Sequence, residues 1–256
     1  MKSVSLLVAT LLLTPVLAVS QARPVAAAED PALLGAKILK KADELAAAFP
    51  NQTYVAQMKV KKGDEVKKTL VFQMVMKDLE KQFITFTAPG DVAGMKILMT
   101  DSDSIFMYSP EFQKVRKIAA HAQNQGFLGS EFTPEDMKLA KLSTLFDAEF
   151  EGKEGTETTL ILRPKTPEAS SYAKLKIVID SKVGGITKIT YFDGSGEAVR
   201  RQLRDEWQKH KGANFPTRIV MKNLKTGDET VIHLSEIDVD TVISDDIFSR
   251  RTLMRG

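Results

Sequence analysis

Residues Thr53–Met76 read TYVAQMKVKKGDEVKKTLVFQMVM, and this stretch decides the fold. Tyr54, Ala56, Met58 and Val60 alternate with mostly polar or charged neighbours. Lys62-Gly63-Asp64 then turns the chain, and Leu70, Phe72, Met74 and Met76 resume the alternation. A hydrophobic period of two marks a strand with one buried face, and the short polar turn between two such runs marks an antiparallel hairpin. Hairpin signals recur outward from here. Ile84 and Phe86 form a third strand, ended by Ala88-Pro89-Gly90-Asp91. Ile97-Leu98-Met99 and Ile105-Phe106-Met107-Tyr108 flank the turn-forming Asp101-Ser102-Asp103-Ser104, and Val115 and Ile118 add a weak sixth strand.

Beyond His121–Ser130, rich in Ala, Gln, Asn and Gly and read as a loop, Thr133-Pro134-Glu135-Asp136 predicts a short lid helix to about Ser143. It has a hydroxyl cap, proline at the first turn and a carboxylate returning to the cap. Strands resume at Leu160 and Leu162, then Leu175, Ile177 and Ile179, then Ile186 to Phe192. Val199, Leu203 and Trp207 are expected to share a face of the next strand. Ile219 and Met221, followed by Val231, His233 and Ile237, complete the series.

Upstream, Leu34, Ile38, Ala42, Leu45, Ala46 and Phe49 recur at helical spacing, with Asp30-Pro31 at the start and Pro50 at the end. The expectation is therefore a mainly β protein with some helix. A single curved antiparallel sheet of about eleven strands, thirteen at most, forms an incomplete, half-open barrel. The N-terminal helix and the short lid helix close it.

Composition bounds the function. The 256 residues contain no cysteine and three histidines, so thiolate metal sites, cysteine nucleophiles and disulfides are excluded and no cofactor is expected. Lys2 followed by the apolar run Val4 to Leu13 and small residues to Ala28 describes a secretory signal peptide. Cleavage is expected after Ala28, with Ala22 as the alternative. The run is too short for a membrane span, so residues 29–256 are expected as one domain with no span. Removing residues 1–28 takes away Lys2 and Arg23 and lowers the net charge from +3 to about +1. Such a chain has no electrostatic warrant for nucleic-acid binding. An exported chain without cysteine suits a periplasm, which also makes Asn51-Gln52-Thr53 a chance glycosylation match.

No catalytic set assembles. Gly194-Ser195-Gly196 lies in a turn, His233 and Glu236 are three apart on a strand, and His121 and His210 stand alone. Asp101 and Asp103 lack the Gly and distal Glu of a calcium loop. Soft apolar material is more informative, because Met58, Met74, Met76, Met95, Met99 and Met107 all fall in the first half. Methionine is flexible and polarizable and fits varied apolar shapes. The expected cavity lining is Met58, Phe72, Met74, Met76, Ile84, Phe86, Leu98 and Met107, with Arg116 as a candidate head-group contact. Gly90 and Gly94 are read as turn residues, and Thr133 and Asp136 as caps of the lid helix.

Three blocks resemble the outer-membrane lipoprotein-sorting, LolA-like family of bacterial periplasmic proteins. They are Ala88-Pro89-Gly90-Asp91-Val92-Ala93-Gly94 with Leu98, then Met107-Tyr108-Ser109-Pro110 running to Val115-Arg116-Lys117-Ile118, and Phe127 to Met137, FLGSEFTPEDM. The resemblance is nearer to the uncharacterised branch than to the founding carriers. It implies an incomplete barrel with helices over an apolar cavity, and a periplasmic carrier of acylated lipoprotein or lipid moving toward the outer membrane. Implied partners are an inner-membrane lipid exporter and an outer-membrane acceptor. The alternative is a periplasmic protein-interaction or sensor module on the same fold. No residue here matches a mouth-closing arginine of the founding carriers.

Overall fold

The structure is a computed structural model that describes residues 29–101, 104–119, 126–138 and 141–255. The expected signal peptide, His121 and Asp103 lie outside the described residues. Thirteen strands form one antiparallel sheet: β1 (Gln52–Lys62), β2 (Glu65–Lys77), β3 (Lys81–Ala88), β4 (Lys96–Asp101), β5 (Ser104–Ser109), β6 (Lys114–Lys117), β7 (Phe146–Glu154), β8 (Glu157–Pro164), β9 (Lys174–Asp180), β10 (Gly185–Phe192), β11 (Ala198–His210), β12 (Ala213–Asn223) and β13 (Glu229–Asp238).

The spatial order is β6-β5-β4-β3-β2-β1-β13-β12-β11-β10-β9-β8-β7. Every strand pairs with its sequence neighbours except at one place, between β6 and β7. The first and last strands pair with each other, Met58 opposite Ile232, which joins the two halves of the sheet. Strands β6 and β7, consecutive in sequence, are the two edges, so the sheet curves without closing. The segment linking them must therefore cross the gap.

Thirteen strands is the upper end of the expectation, and β7 is the one that the sequence reading does not pick out. Its alternation of Phe146, Ala148 and Phe150 is short and borders a helical signal, which hid it. The N-terminal helix α1 (Pro31–Ala46) begins on Asp30, whose carboxylate accepts the Ala32 amide at 2.9 Å. It ends before Phe49, and its buried stripe is Gly35, Leu39 and Ala42, while Leu45 is left exposed. Gly35 lies against the backbone of β7. A Cβ there would come within 2.6 Å of the Ala148 carbonyl oxygen, so only glycine allows this approach.

The expected lid helix is instead two short pieces. Pro134–Lys138 forms a 3-10 turn, and α2 (Leu142–Leu145) follows. The carboxylate of Asp43 on α1 accepts the amides of Leu142 at 3.1 Å and Ser143 at 2.8 Å, supplying the cap that α2 lacks locally.

Three apolar clusters form the core. One lies between α1 and the concave side of β7–β10, around Leu39, Phe146, Ile177 and Tyr191. A second lies on the concave side of β1–β5, around Met58, Phe72, Phe86 and Ile97. Phe132, on the segment crossing the gap, packs against both. The third is on the convex side, where Ile243, Phe248 and Leu253 of the C-terminal segment, including α3 (Arg250–Met254), cover Phe83, Leu98 and Phe106. Strands β3–β5 are thus buried on both faces. Asp245 fastens this covering segment through Lys81 at 2.7 Å and Lys77 at 2.9 Å. The two lysines pull its carboxyl down to about 2.

Candidate ligand cavity

A cavity of about 350 Å³ lies between the concave face and the segment that crosses the gap. Its volume falls within the range typical of small-molecule sites, roughly 300–1,000 Å³. One wall comes from β1–β5 by strand parity. Cross-strand partners project from the same face, and the pairs Ala56–Phe72, Tyr54–Met74, Phe72–Phe86, Met74–Ile84 and Ile84–Ile97 run across it. Met58, Phe72, Met74, Met76, Ile84 and Phe86 all line the cavity. Phe86 stands 5.3 Å from Phe72 and 5.8 Å from Phe127, ring centre to ring centre. A second aromatic group, Phe49, Tyr54 and Phe215, lines it as well, with centroids 6.0–6.4 Å apart. Burial pushes the Tyr54 hydroxyl well above the ordinary tyrosine value.

The remaining expected lining residues sit elsewhere. Leu98 points to the convex side, into the cluster under the C-terminal segment, because it has the opposite parity to Ile97 and Met99. Met107 is half-buried against the concave cluster but does not line the cavity. Arg116 pairs with Met107 on edge strand β6, where it is exposed and stacks 5.8 Å over the Phe112 ring. It does not reach the cavity.

The segment from Gly126 to Asp136 acts as a strap across the concave face. Asp136 returns to Thr133, accepting its amide at 2.7 Å and its hydroxyl at 3.0 Å. Its second role was not visible in the local sequence. Arg200 on β11 donates from Nη2 to Asp136 Oδ2 at 2.7 Å, and both side chains are buried. Arg200 also donates to the Tyr172 hydroxyl and to the Glu131 carbonyl. Further ties come from Thr230, whose hydroxyl accepts the Glu131 amide at 2.9 Å, and from Asn223, which donates to the Glu131 carboxylate at 3.2 Å. Glu135 accepts from the Ser170 hydroxyl at 2.8 Å and the Ser171 amide at 3.0 Å.

Burial draws the Arg200 guanidinium down, but Asp136, Tyr172 and Tyr191 together outweigh it and the net direction is up. Tyr191, whose ring lies 5.1 Å beneath Arg200, is pushed far up by burial and by Asp136. Three buried polar atoms here have no partner: Asp136 Oδ1, Arg200 Nε and the Tyr191 hydroxyl.

Strand β11 carries the largest departure from expectation. Its concave face bears Arg200, Gln202 and Arg204, while Leu203 is 38% exposed. A left-handed φ of 51° at Glu206 breaks the alternation, and Trp207 lines the cavity beside Gly185. A Cβ at Gly185 would approach the indole to 2.7 Å. Hydrophobic alternation pointed to the wrong face of this strand; the inward polar set Arg200-x-Gln202-x-Arg204 was the available signal.

Among the described residues, no group of three or more His, Cys, Asp or Glu is placed to hold a metal ion. Ser195 sits in the Asp193 turn, its amide and hydroxyl both held by the Asp193 carboxylate. No helix among these residues is long and apolar enough to cross a membrane.

Comparison with known proteins agrees with this geometry. Residues 56–255 match the model of a family described as an uncharacterized protein. No curated protein matches the chain. Among solved structures, a DUF1329 family protein from Desulfovibrio piger superposes with a TM-score of 0.80 at 22% identity, covering 88% of this chain and 99% of that one. A domain described as an outer membrane lipoprotein-sorting protein domain, from Vibrio parahaemolyticus, gives 0.77 at 19% identity, covering 88% and 100%. A LolA superfamily protein from Nitrosomonas europaea gives 0.71 at 20% identity, covering 85% and 99%. The chain belongs to the uncharacterized-protein family that spans residues 56–255, and its fold is that of the lipoprotein-sorting, LolA-like superfamily.

Proposed function

We propose that this chain is a periplasmic carrier, exported through residues 1–28, that binds acylated lipoprotein or lipid cargo in the concave cavity. It would take this cargo from an inner-membrane exporter and pass it toward an outer-membrane acceptor. Its role is binding and transfer, without catalysis. The observation that carries this reading is the cavity itself. A space of about 350 Å³ lies beside Met58, Phe72, Met74, Met76, Ile84 and Phe86, an apolar lining suited to alkyl chains. Burial of an alkyl chain stabilises it by about 0.8 kcal/mol per CH₂, enough to drive capture from water.

The strap supports the mechanism. It is held by polar contacts at Arg200, Thr230 and Asn223 and by Phe127 and Phe132, which pack on the concave clusters and line the cavity, so its displacement would open the chamber. Loading and release would follow its movement.

The experiment is uptake of a fluorescent fatty acid by purified mature protein. Wild type should bind it saturably, and Ile84→Trp, which fills the cavity, should lower affinity about tenfold or more while retaining a cooperative melt. Phe86→Arg should abolish uptake, with folding checked in the same way. No saturable uptake by wild type would refute the carrier role and favour a protein-interaction module.

A further inference from the structure

Among the described residues, three charged side chains line the cavity: Asp43, Asp136 and Arg204. Two of them are already compensated. Asp43 accepts the Leu142 and Ser143 amides at the start of α2. The charge of Asp136 is matched by Arg200 at 2.7 Å. Arg204 is different. Its Nε donates to Gln202 Oε1 at 2.7 Å, and among the described residues neither of its Nη groups has an acceptor or a carboxylate within ion-pair distance. Arg204 is half-buried on the cavity wall, so an anion entering the chamber can meet it, and a guanidinium offers a planar fork matched to a carboxylate or phosphate. The electrostatics agree: burial draws Arg204 below the ordinary arginine value, with only partial compensation from Tyr191 and Asp136 at longer range.

Beyond Gln202 the wall beside that cation is apolar: Ile219 lies opposite Arg204, Ile232 opposite Ile219 and Met58 opposite Ile232, while Trp207, Phe215, Met74 and Phe86 line the same cavity. One cationic fork set in an apolar chamber fits a molecule with one anionic end and a hydrocarbon body.

We propose that Arg204 is the head-group anchor of the cavity and that the cargo is an anionic amphiphile. Its carboxylate or phosphate pairs with the two Nη groups while its alkyl chain lies along Met58, Met74 and Phe86. This rests on the carrier reading and narrows it to a class of cargo. Neutral lipids and cationic amphiphiles are then poor cargo, because they would cover the half-buried Arg204 charge without matching it.

Trp207 is the chain's single tryptophan and lines the same cavity, so its emission reports occupancy. Mature wild type, Arg204→Met and Arg204→Lys are titrated at pH 8 with 1-decanol, decanoate and decyl phosphate, each below its micelle concentration. In wild type at least one anion should bind about tenfold or more tightly than decanol, as expected for a charge-assisted hydrogen-bonded pair. That preference should fall toward one in Arg204→Met and survive in part in Arg204→Lys. The anion bound more tightly separates a free fatty acid from a phospholipid head group as the source.

If wild type binds decanol as tightly as both anions, or if folded Arg204→Met keeps the preference, the anchor is refuted while the carrier reading stands. If none of the three probes binds, both fall together. Circular dichroism and thermal unfolding establish that each variant is folded. Should Arg204→Met fail to fold, the wild-type comparison and Arg204→Lys still decide the question.

Discussion

Arg200 Nη2 lies 2.7 Å from Asp136 Oδ2 across a sequence separation of 64 residues. Through this contact the link between the two sheet edges is fastened to β11. Each partner is buried, each has a second polar atom without a partner, and the Tyr191 hydroxyl beside them is unpartnered as well. The strap is therefore locked by a pair whose surroundings do not satisfy it fully.

Breaking the pair from one side leaves the other charge buried. Arg200→Met should destabilise the protein by about 3–5 kcal/mol in denaturant unfolding, and Asp136→Leu by a similar amount. The double variant should lose clearly less than the sum, since it leaves no orphaned charge. Additive losses would show that the two residues act independently.

The close approach of α1 to β7 makes Gly35 irreplaceable. In an exposed helix, Gly→Ala gains about 1 kcal/mol of stability. Here the added Cβ would sit 2.6–2.8 Å from backbone atoms of Ala148 and Phe150. Gly35→Ala should therefore lose about 1–3 kcal/mol, as overpacking does, and the sign of the change in thermal midpoint decides between the two effects.

Leu98 separates the convex core from the cavity. Leu98→Ala should destabilise by about 2–5 kcal/mol through the cavity it leaves under Ile243 and Phe248. Its affinity for an alkyl probe should stay within about twofold of wild type, because Leu98 does not line the chamber. A large loss of binding in a folded variant would place it back on the inner wall.

Asp245 gives the C-terminal cover an acid limit. Hydrogen bonds from Lys81 and then Lys77 lower its carboxyl to about 2, below the roughly 3.9 of an unfolded chain. A lowered value stabilises the folded state above about pH 4, and that contribution is lost as pH falls toward 2. The thermal-midpoint difference between wild type and Asp245→Asn should accordingly be constant from pH 7 to 5 and vanish near pH 2. A difference independent of pH would disconnect Asp245 from the two lysines.

The concave wall from β1 to β3 was legible because Met58, Phe72, Met74 and Ile84 obey a period of two beside polar neighbours. Leu98 was not, since β3–β5 are buried on both faces. The uninterrupted triplet Ile97-Leu98-Met99 is the sequence form of that burial. The return of Asp136 to Thr133 was legible because capping is local; its pairing with Arg200 was not, because a partner 64 residues away leaves no periodic trace. The expected shared face of Val199, Leu203 and Trp207 does not bring out Gln202 and Arg204, which point inward. Their inward placement is decided by the register of β11 against β10 and β12, where Tyr191 lies opposite Arg200 and Ile219 opposite Arg204.

The central claim is that the chamber under the strap holds lipid. Its most direct measurement is native mass spectrometry of the protein purified from its own cell envelope, followed by solvent extraction of the same sample. The expected result is an adduct of lipid mass that dissociates on activation and yields an anionic, acyl-containing lipid in the extract. A spectrum of bare protein, with no lipid recovered above the level of an unrelated periplasmic protein, would contradict the account.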